Sequence, residues 1–307
     1  MRGRPVVGRL APTPSGALHF GNICAFTAAW LSVRRQSGTL LLRIEDVDRA
    51  RSRATLTDGI RRDLDWLGLH WDRETAAQST RDYTDTLHKL RERLYFCSCT
   101  RRDLRQSAYA GTCRDLQHDT GAIRFRLNAG PMHFVDIAHG ELNVNPREFG
   151  DPILVKRDGE PNYNLAVVAD DIADGITEVT RGADLLPFTS VQIQLWQALM
   201  AEPPAWLHAP LVLGADHRKL AKSQGSISVG VLREAGWSAQ DIFAVILPWL
   251  GLSPNLSLDE AARDFVPTRA TSGPWVLHFS DSPSAPSRSL ISFSLTSGGT
   301  NACDHDS

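Results

Sequence analysis

The hydrophobic and polar positions in the first third of the chain predict short strands that alternate with helices. An apolar run at residues 5–10 predicts a first strand, and the Pro- and Gly-containing segment 12–16 then breaks the chain. Apolar residues recur at helical spacing over 23–31, and a nearly continuous apolar run at 39–44 suits a strand buried on both faces. This order predicts a parallel sheet covered by helices, with the polar residues 45–49 at the carboxyl end of a strand.

The middle of the chain has a different pattern. Helices are predicted at 55–67 and 79–94, after which only short β-type pieces occur between residues 97 and 164. Gly-containing pairs at 139–140 and 158–159 predict hairpin turns within this region. We therefore interpret it as a partly β segment inserted into the sheet.

The α/β pattern returns after the insertion. It predicts a strand at 176–180, a helix at 186–200, a strand at 210–213, and helices at 229–234 and 239–250. We predict four parts of the chain: the first half of an α/β domain at 1–94, the inserted part at 95–175, the second half at 176–265, and a poorly ordered Ser- and Pro-rich tail at 266–307.

Composition excludes several classes of protein. Of the 307 residues, 42% are hydrophobic, which is enough to bury a substantial core. The formal net charge of −2 lacks the basic excess of a protein that coats nucleic acid, so any RNA contact must be local. We expect neither a secretory signal nor a membrane span, because no apolar run reaches roughly 20 residues. Five cysteines, an odd number, fit a reducing cytoplasm better than a disulfide framework. We expect a cytoplasmic monomer without membrane contact, although no sequence pattern decides the oligomeric state.

The first candidate site is the loop at residues 11–22. Gly16 and Gly21 permit close approach of the backbone to a ligand, and the predicted helix that follows presents unpaired N–H groups to an anion. His19 can donate a hydrogen bond to a phosphate oxygen. A structural turn would account for the same residues equally well, so this loop alone indicates only phosphate binding.

The second candidate site is a basic loop that follows a β-type run. Lys219 and Lys222, followed by Ser223, suit the stabilisation of charge that develops on a polyphosphate during displacement. By itself such a loop is usually a solvated turn. Its significance comes from its combination with the first loop.

Together the two loops resemble the paired signatures of class I aminoacyl-tRNA synthetases. His19-Phe20-Gly21-Asn22 is similar to the first signature, His-Ile-Gly-His, and Lys219-Leu220-Ala221-Lys222-Ser223 is similar to the second, Lys-Met-Ser-Lys-Ser. The sequence departs from these signatures at Asn22 and Ala221, and Asn22 retains a hydrogen-bond donor. The resemblance implies a Rossmann-type α/β catalytic domain that forms an adenylate from ATP, with Mg. It implies two catalytic residues, His19 and Lys222, and an ATP site formed by Pro12, His19, Gly21, Asn22, Lys219 and Lys222.

Four further stretches narrow the resemblance to the glutamate branch of that family. They are residues 8–16, 42–48, 163–168 and 180–184. The resemblance implies that glutamate is the amino acid and that it is surrounded by Arg9, Leu10, Ala11, Pro12, Thr13, Glu45, Tyr163 and Arg181. The chemistry agrees, because a guanidinium can bind the side-chain carboxylate with two hydrogen bonds and Glu45 can pair with the α-ammonium. A surface salt bridge remains the alternative role for any one of these charged residues.

The acceptor of the glutamyl group is inferred from the length of the chain. We expect no anticodon-binding part after residue 265. In this respect the sequence resembles shortened members of the branch, which attach glutamate to the queuosine base in the anticodon of tRNA(Asp). This resemblance implies glutamate, ATP and tRNA(Asp) carrying queuosine as partners.

Two alternatives stay open. One is a truncated synthetase that charges the 3′ end of tRNA(Glu), which pyrophosphate exchange without RNA would separate. The other is a non-catalytic RNA- or nucleotide-binding relative, which would bind ATP without any exchange.

Three cysteines are crowded between residues 97 and 113. Cys97, Cys99 and Cys113, with Tyr109, resemble the zinc site of the shortened members, in which a tyrosine completes three thiolates; this implies one zinc ion held by the inserted part. Ligand statistics instead favour a histidine as the fourth ligand, and His118 lies close enough in sequence to compete. Three thiols without a metal are the remaining possibility.

Overall fold

The structure is a computed structural model of the chain, and it describes residues 4–48, 52–100, 103, 108–213, 228–270, 273–279 and 291–295. Its helices are α1 Phe20–Arg35, α2 Ala54–Trp66, α3 Thr84–Leu90, α4 Tyr163–Ala173, α5 Thr189–Ala198, α6 Val229–Glu234, α7 Ala239–Ile246 and α8 Leu258–Asp264. Its strands are β1 Val7–Leu10, β2 Thr39–Leu42, β3 Arg73–Glu74, β4 Leu94–Cys97, β5 Ala122–Phe125, β6 Met132–Asp136, β7 Gly140–Val144, β8 Ile153–Val155, β9 Glu178–Gly182, β10 Ala205–Ala209, β11 Val212–Leu213, β12 Trp275–Phe279 and β13 Ile291–Leu295.

Parallel strands from the two halves of the predicted α/β domain lie side by side. β1, β2 and β3 form one parallel set, and β9 pairs in parallel with β10. The Thr177 N–H donates to the Val7 carbonyl at 2.9 Å and the Val7 N–H donates to the Thr177 hydroxyl at 2.8 Å, which joins the two sets beside β1. The predicted α/β architecture with a parallel sheet is therefore confirmed.

The inserted region contributes strands to two places. β4, β5 and β8 form a separate antiparallel sheet. β6 and β7 form the hairpin predicted at residues 139–140, and β6 also pairs in parallel with β10 through Trp206 and Asp136. Part of the predicted insertion is thus hydrogen-bonded to the second half of the α/β domain.

Helix α1 packs tightly on β1 because two glycines leave room for it. A Cβ atom on Gly8 would lie 2.4 Å from Val33 Cγ2, and one on Gly38 would lie 2.7 Å from the Val6 carbonyl oxygen. Ten of the sixteen residues of α1 are buried, so this helix is covered on nearly all sides. It carries the first signature loop at its amino end.

The helix predicted at 79–94 is shorter in the structure. α3 begins at Thr84, and just before it the Asp82 carboxylate accepts hydrogen bonds from the N–H and hydroxyl of Thr84, at 2.9 and 2.7 Å, in a local turn. At the other end, Leu94 pairs with Phe125 in the β4–β5 ladder. Long-range strand pairing thus overrides the local helical period.

Strand β10 was not predicted. The prediction placed a strand at 210–213, whereas the structure forms β10 just before it and keeps only β11 within that range. Trp206 and His208 alternate with small or aliphatic neighbours, and both are buried. The segment therefore lacks the alternation of buried apolar and exposed polar residues by which a half-exposed strand is recognised. Two segments of the predicted tail are also strands: β12 pairs with β11 and with β13. No helix in the described residues is long and apolar enough to cross a membrane.

Candidate active site

A cleft of about 750 Å³ opens at the carboxyl ends of β1, β2 and β9. Ligands bind at this edge of parallel sheets because successive strands and loops leave a crevice there. Its walls include most of the residues that the resemblance implied for ATP and glutamate: Arg9, Ala11, Pro12, Thr13, His19, Gly21, Asn22, Glu45, Tyr163 and Arg181. Leu10 is the exception among the described ones. Its side chain is fully buried in the hydrophobic core, because neighbouring residues of a strand point to opposite faces.

Two arginines and several carboxylates form a buried ion network on one wall of the cleft. Arg9 Nε donates to Asp171 Oδ1 at 3.1 Å, and Arg9 Nη1 donates to the Thr180 carbonyl at 3.1 Å. Arg43 Nη2 donates to the same Asp171 oxygen at 2.6 Å and to Glu45 Oε1 at 3.2 Å. Arg9 and Glu45 are therefore held in place without any ligand.

Burial and charge act in opposite directions on these carboxyl groups. Burial raises the pKa of Glu45 above its ordinary value, and the cations of Arg43 and Arg9 oppose that effect only in part. For Asp171, burial also acts to raise the pKa, but Arg9 and Arg43 outweigh it and lower the pKa. Asp171 is thus the permanent anion of the network, whereas Glu45 would gain from a further cation beside it.

Arg181 forms the opposite wall with a different kind of support. It lies on β9, and its hydrogen-bond partners include His208, Gln192, Thr189 and the Leu185 carbonyl. Tyr163, the first residue of α4, lies near enough for the Arg181 cation to oppose the effect of burial, which raises the pKa of the phenol. The phenol therefore stays neutral near pH 7.

The first signature loop forms the amino end of α1. His19 is the residue before the first turn, and its N–H donates to Asn22 Oδ1 at 3.3 Å. Asn22 thus closes the amino end of the helix while it lines the cleft, and its NH₂ group is the part that can donate to a ligand. The sequence indicated the donor role of Asn22 but not its capping role.

The second signature loop, with Lys219, Ala221, Lys222 and Ser223, lies outside the described residues. The residues on either side of it are described. Val212 lines the cleft, and Ser228 forms a β-bridge with His19. Both described ends of this segment therefore border the first loop.

Cys97, Cys99 and Cys113 form a cluster, the cysteine cluster, in the inserted region. Their sulfur atoms all lie within 4.8 Å of one another, and the sulfurs of Cys99 and Cys113 are 3.5 Å apart. Thiolates around one tetrahedral zinc ion, with Zn–S bonds of about 2.3 Å, are separated by about 3.8 Å. Three thiols at this spacing fit a metal ion.

The fourth position of this cluster distinguishes the two candidates from the sequence. Tyr109 packs against the three cysteines, and its hydroxyl oxygen accepts a hydrogen bond from the Cys113 N–H at 2.8 Å. His118 Nε2 instead lies 3.2 Å from the Ser98 hydroxyl. Of the two, Tyr109 is the one whose polar atom lies beside the cluster.

Some residues that shape the site were not identified from the sequence. Arg43 and Asp171 hold Arg9 and Glu45, and His208 holds Arg181, yet none was named as a site residue. A charged residue inside an apolar strand run, as at position 43, was the available signal, because such residues are rarely buried without a partner. Asp171 and His208 carried no comparable signal.

Comparison with known proteins agrees with this geometry. Residues 5–270 match the family described as tRNA synthetases class I (E and Q), catalytic domain. The chain belongs to this family. It is 39% identical over 293 residues to a Glutamyl-Q tRNA(Asp) synthetase from Nocardia farcinica, covering 88% of this chain and 92% of that protein. It is 35% identical to a Glutamate–tRNA ligase from Sulfurihydrogenibium sp., covering 84% of this chain and 62% of that protein.

A solved structure supports the same fold. The glutamate-tRNA synthetase from Elizabethkingia anophelis superposes with a TM-score of 0.76 at 24% identity, over 88% of this chain and 68% of that one. The predicted resemblance to the glutamate branch of class I synthetases is confirmed at the level of the family. The chain is a ligase of the aminoacyl-tRNA synthetase type.

Proposed function

We propose that this protein activates glutamate with ATP and transfers the glutamyl group to the queuosine base of tRNA(Asp). The observation that carries the proposal is the cleft, in which the amino end of α1 meets Arg9, Glu45, Tyr163 and Arg181. A helix amino end binds phosphate, and the charged residues bind an amino acid with a second carboxylate. Relatives named for the queuosine reaction support the choice of acceptor.

The charge distribution suggests how glutamate is oriented. Arg9 already has the Asp171 carboxylate as its counter-ion, whereas the partners of Arg181 among the described residues are neutral groups. We propose that Arg181 supplies the main positive charge for the side-chain carboxylate, with Arg9 and the Tyr163 hydroxyl as further donors. Glu45 then pairs with the α-ammonium, whose charge would stabilise its ionised form.

ATP is proposed to bind across the amino end of α1. The α-carboxylate of glutamate attacks the α-phosphorus and pyrophosphate leaves, so the protein contributes mainly positioning and charge. His19, with Pro12, Gly21 and Asn22, borders the place for the phosphates. Lys219 and Lys222 are proposed from the sequence to stabilise charge on the leaving pyrophosphate. Magnesium would neutralise the phosphates as in other ATP-dependent enzymes.

The cysteine cluster is proposed to hold one zinc ion. Cys97, Cys99 and Cys113 supply three thiolates and the Tyr109 hydroxyl the fourth ligand. Bound zinc would fix the fold of the inserted region, as structural zinc does elsewhere. We assign it no part in adenylate formation.

Pyrophosphate exchange tests the activation step. We expect glutamate-dependent exchange without any RNA and little exchange with glutamine or aspartate. Arg181→Lys should lower kcat/KM for glutamate about a hundredfold, because lysine keeps the charge but loses the planar fork. The matched control, Arg61→Lys, changes an exposed arginine that pairs with Glu74 and should have no effect. Equal activity of both variants would contradict the assignment.

Transfer assays test the acceptor. Labelled glutamate should pass to tRNA(Asp) that carries queuosine and not to tRNA(Asp) that lacks it. The 35% identity to a Glutamate–tRNA ligase makes the 3′ end of tRNA(Glu) the second candidate acceptor. Charging of tRNA(Glu) in preference to the modified tRNA(Asp) would establish that alternative. ATP binding without exchange under any condition would instead indicate a non-catalytic relative.

A further inference from the structure

We infer that His208 and Asp136 are positioning residues that hold Arg181 in the orientation in which it binds the side-chain carboxylate of the amino acid. This inference rests on the proposed function and adds the origin of the preference for an acid over its amide. It assigns to a strand of the inserted region a role in amino-acid specificity.

Three neighbouring strands place these side chains in line. His208 on β10 is the register partner of Arg181 on β9, and Asp136 on β6 is the partner of Trp206, two residues before His208. Arg181 Nε donates to His208 Nε2 at 3.1 Å, and His208 Nδ1 lies 2.6 Å from Asp136 Oδ2. His208 is fully buried and Asp136 is 1% exposed, so water does not compete for these contacts.

The protonation of the imidazole follows from its neighbours. Burial is the largest influence and lowers the pKa of His208 to about 4; Asp136 acts to raise that pKa and Arg181 acts to lower it. Burial is also the largest influence on Asp136 and acts to raise its pKa, but the contact with His208 and the hydrogen bonds from the backbone N–H groups of His139 and Ala138 together lower it. His208 is therefore neutral near pH 7, with its proton on Nδ1 facing the Asp136 carboxylate. Its other nitrogen is left as an acceptor, which is what the Arg181 N–H requires.

The Nη1 and Nη2 groups of Arg181 also donate to neutral acceptors. Nη1 donates to Gln192 Oε1 at 2.6 Å, and Nη2 donates to Thr189 Oγ1 at 2.8 Å and to the Leu185 carbonyl at 3.3 Å. Four of its five N–H groups are used in this way, and the Tyr163 phenol is a further hydrogen-bond partner of the guanidinium. The guanidinium is thus fixed on several sides, and among the described residues no carboxylate forms a salt bridge with it, although the charge of Asp171 acts on it from a greater distance.

This arrangement explains how a carboxylate can be preferred over an amide. A carboxylate brings the missing negative charge to a buried cation, whereas an amide of the same shape leaves that cation uncompensated. If Arg181 rotated away, the pocket would keep Arg9, whose charge is already opposed by Asp171. The loss of His208 should therefore reduce selectivity as well as affinity.

Exchange kinetics on the full-length protein test the role of His208. His208→Leu should raise the KM for glutamate 10- to 100-fold and reduce the glutamate-over-glutamine preference by a similar factor, because Arg181 loses its orientation. We expect kcat at saturating glutamate to change less than about threefold and the KM for ATP to stay unchanged. His208→Gln should keep the KM for glutamate and the selectivity close to those of the wild type, since its amide oxygen can still accept a hydrogen bond from Arg181. His133→Leu, an exposed site on β6, is the matched control.

Several outcomes would overturn the inference. Unchanged selectivity in a folded His208→Leu protein would do so, as would equal losses in kcat and in ATP affinity. If His208→Leu does not fold, the ¹⁵N resonances of the wild-type imidazole decide, because a proton on Nε2 instead of Nδ1 is incompatible with the network. Absence of glutamate-dependent exchange in the wild type would refute the proposed function itself, and the inference with it.

Discussion

The cleft and the cysteine cluster are assembled in opposite ways. In the cleft, Arg9 meets Asp171 from 162 residues away in the sequence, and each charge of that wall has its partner inside the protein. In the cysteine cluster, residues within 17 positions of one another bring three thiols to within 4.8 Å of one another.

This difference separates two sources of order. The cleft is organised by the fold before any substrate arrives, which is the condition for positioning and electrostatic catalysis. The cluster instead concentrates sulfur ligands, whose thiolate charge a bound metal ion would neutralise. Changes in the cleft should therefore act on folding, and changes at the cluster should act through metal affinity.

The largest effect is expected at the centre of the ion network. Arg43→Met removes the buried cation that contacts both Asp171 and Glu45 and should cost about 3–5 kcal/mol of unfolding free energy. Denaturant unfolding measures it. Arg61→Met, which removes an exposed pair with Glu74, should cost less than about 1 kcal/mol. Equal costs would mean that the network is no more sensitive than a surface salt bridge.

Removal of one thiol should come next. Cys113→Ser should lower zinc affinity at least about 100-fold, equivalent to about 3 kcal/mol, as judged by competition with a chelating dye. The control is Cys24→Ser, because Cys24 is a buried thiol of α1 far from the cluster in sequence, and burial raises its pKa to about 12. We expect about one zinc ion per chain in the control. Loss of zinc from both variants would remove the distinction between the two regions.

Acid should weaken the fold through His208. The folded protein keeps this imidazole neutral down to about pH 4, whereas the unfolded chain protonates it near its ordinary value of 6.5. The unfolded state therefore binds more protons between these values, and stability is lost as the pH falls from 6.5 to 4, by up to about 3 kcal/mol. Asp136, Arg181 and His139 are the charged or titratable groups that act on it. Denaturant unfolding of the wild type and of His208→Gln at several pH values measures this, and parallel curves would contradict it.

The smallest effect is expected from a backbone change beside the cluster. Gly150 has φ +71° and ψ 165°, a region that only glycine adopts readily, and an added Cβ would lie 2.7 Å from the Tyr109 nitrogen and oxygen. Gly150→Ala should therefore displace Tyr109 and weaken zinc binding about tenfold, near 1.4 kcal/mol. Gly140 also has positive φ, but an added Cβ there would lie within 4 Å of no other atom. Gly140→Ala should therefore leave zinc affinity unchanged. The same zinc affinity in both variants would exclude Tyr109 from the site.

Local patterns predicted the elements that depend on local sequence. The helix at 229–234 has the predicted limits, and the loop at 11–22 lies at a helix amino end as its glycines indicated. The helix predicted at 79–94 is confirmed only over α3, and its predicted carboxyl end is wrong because Leu94 pairs with a distant strand. The local sequence of the helix does not indicate such a long-range contact.

The same division applies to the site. Residues that face the cleft belong to motifs and were named from the sequence, including Arg9, Glu45 and Arg181. Residues that support them from behind, such as Asp171 and His208, lie on other elements and are recognised only by the atoms they contact. A single sequence does not reveal which distant side chains will meet.

The hydrogen bond between Val7 and Thr177 also has a consequence for synthesis on the ribosome. The two residues are 170 positions apart, so β1 emerges long before the edge beside which it will lie. At 5–20 residues per second that delay is roughly 10–35 s. During this time β2 can already cover one side of β1, but its other edge has no native neighbour and can pair with foreign strands. The nascent chain is therefore exposed to aggregation for as long as the 170 positions between these two residues take to be made.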